Sequence, residues 1–234
     1  MSLAYDFEPS LTGATFGSGG GEPYALALLR STSNKLFLRD ATSGDPSNHV
    51  MMDVSRWNAD ADDADLTLLS GVKGPMLDIG CGPGRMVRAA AALGLDALGI
   101  DVSQTAVHVA RKLGINVVEG SIFDLVPGEG TWQTALLVDG NIGIGGDPAG
   151  LLARCRALLA PGGEIVIEVH DDPDRDYRYT GTIVDQHGVE SASFPWAEVG
   201  LGAIRDLAGD LDLEVRQSWA IDGRTFCRLA TTRR

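Results

Sequence analysis

Positive charge is scarce in this chain. Nineteen Lys and Arg stand against 32 Asp and Glu, giving a formal net charge of -13. No basic run occurs beyond the pairs Arg111-Lys112 and Arg233-Arg234. A phosphate backbone would be repelled by most of such a surface, so nucleic acid is not expected as a partner. No run of eighteen apolar residues occurs, and the opening MSLAYDFEPS has neither a basic segment nor an apolar one. Neither a membrane span nor a secretory leader is therefore expected, and a cytoplasmic location is. Cysteine is limited to Cys81, Cys155 and Cys227, an odd and widely spaced set that fits neither a disulfide framework nor a zinc pattern. At 234 residues the chain has room for one α/β domain with an extension, and too little for two full domains.

Glycine, by contrast, is plentiful, and its placement is informative. Residues 75 to 101 read PMLDIGCGPGRMVRAAAALGLDALGID. An apolar strand, Met76 to Ile79, runs into a turn with Gly80, Gly82 and Gly84, and an alanine-rich helix follows. The glycines let a ligand lie against the backbone, and the helix start presents unpaired N–H groups to it. The next strand ends in Asp101, placed to accept hydrogen bonds from the two hydroxyls of a ribose. A nucleoside-containing cofactor follows from these residues. The dinucleotide fingerprint G-x-G-x-x-G is not met, because Arg85 stands where it wants glycine.

Apolar runs and helical spacings alternate from about residue 59 onward. Helices are predicted over 59–69, capped by Asn58 and stopped by Gly71 and Gly74, and over 86–93, 103–113, 148–159 and 198–208. Strands are predicted over 76–79, 97–100, 116–119, 134–138 and 164–169. Strands this apolar belong in a parallel sheet covered on both faces. Residues 213–221 and 225–231 flank Asp222-Gly223, a strong hairpin signal.

LDIGCGPG, with Asp78 on the first strand and Asp101 closing the second, resembles motifs I and II of the class I S-adenosylmethionine (SAM)-dependent methyltransferases. The terminal hairpin agrees with that family's fold. The resemblance covers roughly Asn58 to the C-terminus. It implies a doubly wound, mostly parallel seven-stranded α/β sheet with a C-terminal antiparallel hairpin and helices on both faces, here joined to an N-terminal extension. It implies SAM as cofactor, with S-adenosylhomocysteine as product, and puts Asp78, Gly80, Cys81, Gly82, Gly84 and Asp101 around it. At the third strand this chain has Gly120-Ser121-Ile122-Phe123-Asp124, with serine where the family has an acidic residue. Ser121 and the backbone N–H of Ile122 are expected at the adenine, with Asp124 as the alternative. Val102 and Ile122 either cover the ring faces or pack the core. After the fourth strand the family binds the methionine end along Asp139-Gly140-Asn141-Ile142-Gly143-Ile144-Gly145-Gly146. The glycines there suit close approach to a ligand, and Asp78 and Asp139 suit a cation.

The implied reaction is an in-line methyl transfer to a small molecule, at oxygen or nitrogen rather than carbon, for which alignment supplies most of the catalysis. A base is needed only if the acceptor arrives protonated. His170, just past the fifth strand, is the first candidate, the alternative being a hydrogen-bonded structural histidine; Asp139 and Asn141 come next. His108 and His187 are expected to be solvated, and His49 has no assigned place. Asp139, Asn141, His170, Asp171 and Asp172 resemble the metal-holding loops of catechol-type methyltransferases. Acidic loops are common in so acidic a chain, so no metal is assigned. Rival readings are a protein methyltransferase, a SAM-using enzyme of another reaction type, and a non-catalytic SAM-binding subunit.

Two segments fall outside the shared core. Residues 1–57 form an extension, with the flexible run Gly17 to Gly21, a short helix near Tyr24 to Leu29 and a hairpin over Lys35 to Val54, ahead of the domain at 58–234. The extension is expected to act as a lid with Tyr24, Arg56 and Trp57 facing inward. Arg56 either pairs with the SAM carboxylate or is a surface arginine. Residues 177–196 form a substrate-side insertion whose Tyr177, Tyr179, Phe194 and Trp196 either wall an acceptor pocket or pack the insertion down. An edge hairpin or the extension offers a surface for a homodimer.

Overall fold

Strands buried on both faces build the larger of two sheets. The computed structural model describes residues 14–18, 22–29, 35–43 and 49–232. In chain order these form α1 (Pro23–Leu29), β1 (Leu36–Asp40), β2 (His49–Met52), α2 (Val54–Asn58), α3 (Asp63–Leu69), β3 (Met76–Ile79), α4 (Arg85–Ala92), β4 (Ala97–Asp101), α5 (Gln104–Lys112) and β5 (Val117–Glu119). There follow β6 (Trp132–Leu137), a 3-10 turn over Asn141–Gly146, α6 (Pro148–Leu158), β7 (Leu159–Val169), β8 (Asp176–Asp185), β9 (Phe194–Val199), α7 (Leu201–Asp210), β10 (Leu213–Ile221) and β11 (Arg224–Thr231). Seven strands lie in the order β10-β11-β7-β6-β3-β4-β5. The five from β7 to β5 are parallel, while β11 and β10 run antiparallel as a terminal hairpin. The doubly wound sheet with its C-terminal hairpin is thus borne out.

Alternate residues of each strand go to opposite faces, as the pleat requires. Leu77, Ile79, Ala135, Leu137, Ile165 and Ile167 pack with α6 and α7, while Met76, Leu136, Val138 and Val166 pack with residues of α3, α4 and α5. The chain leaves β3 toward β4 on one side and reaches β6 on the other. The carboxyl ends of β3 and β6 therefore flank the crevice in which ligands of open α/β sheets collect.

The second sheet has the order β2-β1-β8-β9, antiparallel throughout. Its strands come from two distant segments, the predicted hairpin of the extension and the insertion. The insertion, expected only as an aromatic wall, supplies two strands. A parallel bridge from His170 to Gly200 and a 2.9 Å hydrogen bond from the His170 N–H to the Val199 carbonyl fix this sheet to the end of β7. Between the sheets lies a third apolar cluster that includes Tyr24, Leu36, Val54, Ile183, Phe194 and Trp196.

Several boundaries differ from the sequence reading, among them the strand expected from 164, which begins at Leu159. Asn58 ends α2 rather than capping the next helix, and Asp62 caps α3 through a reciprocal capping box with Asp65. Glu198 belongs to β9, and the helix after it starts at Leu201, following Gly200. The predicted strand at 134 begins at Trp132. Gly19 to Gly21 of the glycine run, residues 44–48 of the hairpin and Arg233-Arg234 lie outside the described residues.

Candidate active site

The glycine turn is held by the strand beside it. Gly80 and Cys81 donate to the Ile100 carbonyl at 2.9 and 3.2 Å. The Asp101 carboxylate accepts from the N–H groups of Gly82 (2.7 Å) and Ser103 (2.8 Å). Each Asp101 oxygen keeps a lone pair for a ligand. Gly80 is required twice over: its φ is +68°, and a Cβ there would lie 2.8 Å from Asn141 Nδ2. That amide donates to the carbonyls of Ile79 (2.8 Å) and Gly80 (3.0 Å), tying the turn after β6 to the turn after β3.

These groups open into one cavity of about 480 Å³, well within the range of ~300–1,000 Å³ usual for small-molecule sites. Of the cofactor residues expected from sequence, Asp78, Gly80, Cys81, Gly82, Asp101 and Val102 line it, as do Ser121, Ile122, Asp139 and Arg56. Gly84 does not: with φ +89° it caps α4 against Ile115, where a Cβ would meet Cγ2 at 2.8 Å. Asp124 is exposed and lies off the cavity wall. Cys81 packs on Gly99, and burial pushes its thiol pKa well up, as befits a space-filling residue.

Asp78 is 2 % exposed. Burial first, then the neighbouring charges of Asp139 and Asp101, push its carboxyl pKa up to about 8. A buried acid facing a cavity in this state gains most from a cation delivered to it.

Beneath the part of the cavity lined by Arg56, Arg85 and Asp139 lies a charge network that sequence reasoning did not find. Asp65, fully buried, accepts from Arg56 (2.7 Å), from Arg224 (2.9 Å) and from Arg85. Asp139 takes Arg56 at 2.9 Å and also Arg85. Glu168 binds Arg224 through both oxygens, at 2.8 and 2.7 Å, and accepts the Asp139 N–H at 2.8 Å. Arg56 is therefore no surface arginine; three of its five N–H donors are engaged and two remain. Arg85, notable in sequence only for breaking a fingerprint, is 5 % exposed and lines the cavity.

The wall opposite comes from the second sheet, the extension, the end of β7 and the turn after β6. His170, Glu198, Trp196, Ile144, Leu38 and Phe16 reach the cavity, as do Tyr24 and Trp57. Phe16 meets Trp196 at 5.4 Å and Tyr24 edge-on at 5.2 Å. Of the four insertion aromatics only Trp196 lines the cavity; Phe194 and Tyr179 are buried in packing, and the Tyr177 hydroxyl donates to Asp40 at 2.6 Å. His170 Nδ1 lies 3.0 Å from Asp171 Oδ1 and 3.1 Å from the Asp172 N–H. The glycines of the turn after β6 have two uses. Gly140 and Gly145 line the cavity, whereas a Cβ on Gly143 would stand 2.2 Å from the Ala197 carbonyl oxygen of β9. Among the described residues, no group of three or more His, Cys, Asp or Glu is arranged to hold a metal ion. No helix among them is long and apolar enough to cross a membrane.

Comparison with known proteins agrees with this geometry. Residues 76–163, from β3 into β7, match the family described as "Methyltransferase domain". A ubiquinone biosynthesis O-methyltransferase of Methylococcus capsulatus is 36% identical over 108 residues, 42% of this chain and 44% of that protein. The chain thus spans less than half the length of this curated relative. A SAM-dependent methyltransferase of Bacteroides fragilis, in complex with S-adenosylhomocysteine, superposes with a TM-score of 0.73 at 18% identity, covering 91% of this chain and 95% of that one. The CcbJ methyltransferase of Streptomyces caelestis gives 0.60 at 13% identity over 76% and 92%. These likenesses establish the fold as that of the class I methyltransferases. Within that fold, residues 76–163 carry the methyltransferase-domain match.

Proposed function

We propose that the protein transfers a methyl group from SAM to an oxygen or nitrogen of a small molecule. The observation that carries this reading is that one cavity joins the nucleoside-type contacts of the glycine turn to an opposite wall that bears His170 from the end of β7 and Glu198 and Trp196 from β9. Asp101 holds the ribose, Ser121 and the Ile122 N–H the adenine, and Arg56 the carboxylate of the methionine end, while Asp78 faces its positive charge. When bound, SAM supplies a methyl group already activated for displacement. What remains for the protein is alignment and removal of a proton.

His170 is the base. The Asp172 N–H donates to both Nδ1 and Asp171 Oδ1, which lie 3.0 Å apart, so proton uptake at Nε2 requires the tautomer in which Nδ1 donates to Asp171 instead. Asp139 and Asn141 act by position, because both Asp139 oxygens are held by Arg56 and Arg85 and the Asn141 amide nitrogen by the glycine turn. Their place is to hold the two turns at the distance the cofactor needs. The acceptor is a small molecule held in the cavity, and the acidic surface disfavours polyanions.

Isothermal calorimetry with SAM, S-adenosylhomocysteine and NAD in parallel tests the cofactor. The two adenosyl ligands should bind, and Asp101→Ala should weaken them at least about tenfold, the effect of ~1.4 kcal/mol. Preference for NAD, or no binding, overturns the reading. Once an acceptor is in hand, His170→Ala should keep SAM affinity and lower kcat by about 10²–10⁴, the usual worth of a general base. An unchanged kcat would make His170 structural.

A further inference from the structure

On the wall opposite the glycine turn, Glu198 has hydrogen-bonding capacity that the described residues do not fill. Glu198, on β9, lines the cavity with its side chain 17% exposed. Its Oε2 accepts two bonds from Arg175, at 2.9 and 2.6 Å from Nε and Nη2. Its Oε1 accepts one, from the Tyr179 hydroxyl at 3.0 Å. A carboxylate offers about four lone-pair sites, so one acceptor site on Oε1 remains. A carboxylate paired with a guanidinium has no proton to give, and only a donor can fill that site. The Arg175 guanidinium is itself fixed over the Tyr177 ring, 4.6 Å from its centre, so the carboxylate is gripped from behind.

Position agrees. The His170–Gly200 bridge aligns the end of β7 with the end of β9. With side chains alternating along each strand, Glu168 and His170 share a face, and all three of Glu168, His170 and Glu198 line the cavity. Glu198 thus stands on the same wall as the base. The surroundings restrict the acceptor further. Glu198 is neutralised by Arg175, and Glu168 by Arg224, so this wall offers no lone charge to match a charged acceptor. Phe16, Trp196 and Leu38 supply flat apolar area beside it.

We propose that Glu198 is the specificity-determining residue of the acceptor chamber, accepting a hydrogen bond from a hydroxyl or N–H group, and that the acceptors are uncharged aromatic molecules bearing such a donor. This rests on the methyltransferase reading. Three probes of one shape test it: 2-naphthol, 2-methoxynaphthalene and naphthalene-2-carboxylate, titrated calorimetrically into protein saturated with S-adenosylhomocysteine. The naphthol should bind at least tenfold tighter than the ether, which lacks the donor, and than the carboxylate, which brings an unpaired charge. In Glu198→Gln the amide oxygen turns to Arg175 and its NH2 to the cavity, so the naphthol-to-ether preference should fall to one or reverse. Tyr179→Phe frees a second site on Oε1 and should raise naphthol affinity without changing that of the ether, which keeps the test open should the glutamine variant not fold.

Equal binding of naphthol and ether by the wild type, tightest binding of the carboxylate, or an unchanged preference in a folded Glu198→Gln overturns the proposal. A titration with S-adenosylhomocysteine alone, made first, reads the cofactor assignment separately. If that ligand does not bind, the three probes are titrated without it, and their ranking still decides the role of Glu198.

Discussion

Asp78 shows how a single buried side chain can couple proton and ligand. Its pKa of about 8 in the folded chain lies far above the ~3.9 of an unfolded aspartate. Between those values the folded state holds a proton that the unfolded state has lost. The contribution of Asp78 to stability therefore falls as pH rises from about 4 to about 8 and is level beyond. Binding a cation runs the other way, because the ionised carboxylate is the form that attracts it. SAM binding should then release a proton below pH 8, and affinity should rise with pH between about 6 and 7.5. Calorimetry at pH 7 in buffers of different ionisation enthalpy should count close to one proton released for the wild type and none for Asp78→Asn. A wild type that releases none would show that Asp78 does not face the charge. Asp65 makes the complementary case: it carries three guanidiniums, and removing one partner of a buried ion pair typically costs about 3–5 kcal/mol.

At the scale of elements, the large sheet was legible because each strand is bounded by its own turn signals. Gly80 after β3, Ser103 before α5 and Asp222-Gly223 between β10 and β11 declare boundaries locally. The second sheet was not, because β1 and β8 pair Leu36 with Asp185 and Leu38 with Ile183, contacts that no local window contains. The charge network was hidden for the same reason: Asp65 and Arg224 are 159 positions apart. The motif residues of the cofactor side were readable because they cluster within 27 residues, from Pro75 to Asp101. Gly143 was read as a ligand-facing glycine, and its position gives it another task. A methyl group there would press on the Ala197 carbonyl from 2.2 Å and on the Trp196 ring from 2.8 Å. Gly143→Ala should therefore move β9, leaving S-adenosylhomocysteine affinity within about threefold while weakening acceptor binding by tenfold or more. Loss of both affinities together would mean that the turn after β6 cannot yield without disturbing the glycine turn.

For the molecule as a whole, acidity and architecture divide the labour. The net charge of -13 sits on a chain whose buried arginines are paired with Asp65, Asp139 and Glu168, so most of the excess is an outer property. It acts on what approaches, while the cavity selects by shape and hydrogen bonding. The cofactor floor is contributed by one continuous stretch of the parallel sheet. The opposite wall needs the hairpin of 36–52 and the strands of 176–199 at once, since β1 is the strand to which both β2 and β8 are zipped. A designer wishing to transplant this chamber onto a sister scaffold would find that residues 176–199 are only half a cassette. Moved alone they would arrive with β8 as a raw edge, open to pairing with strangers, and the graft holds together only when both pieces of the chain travel as a matched set.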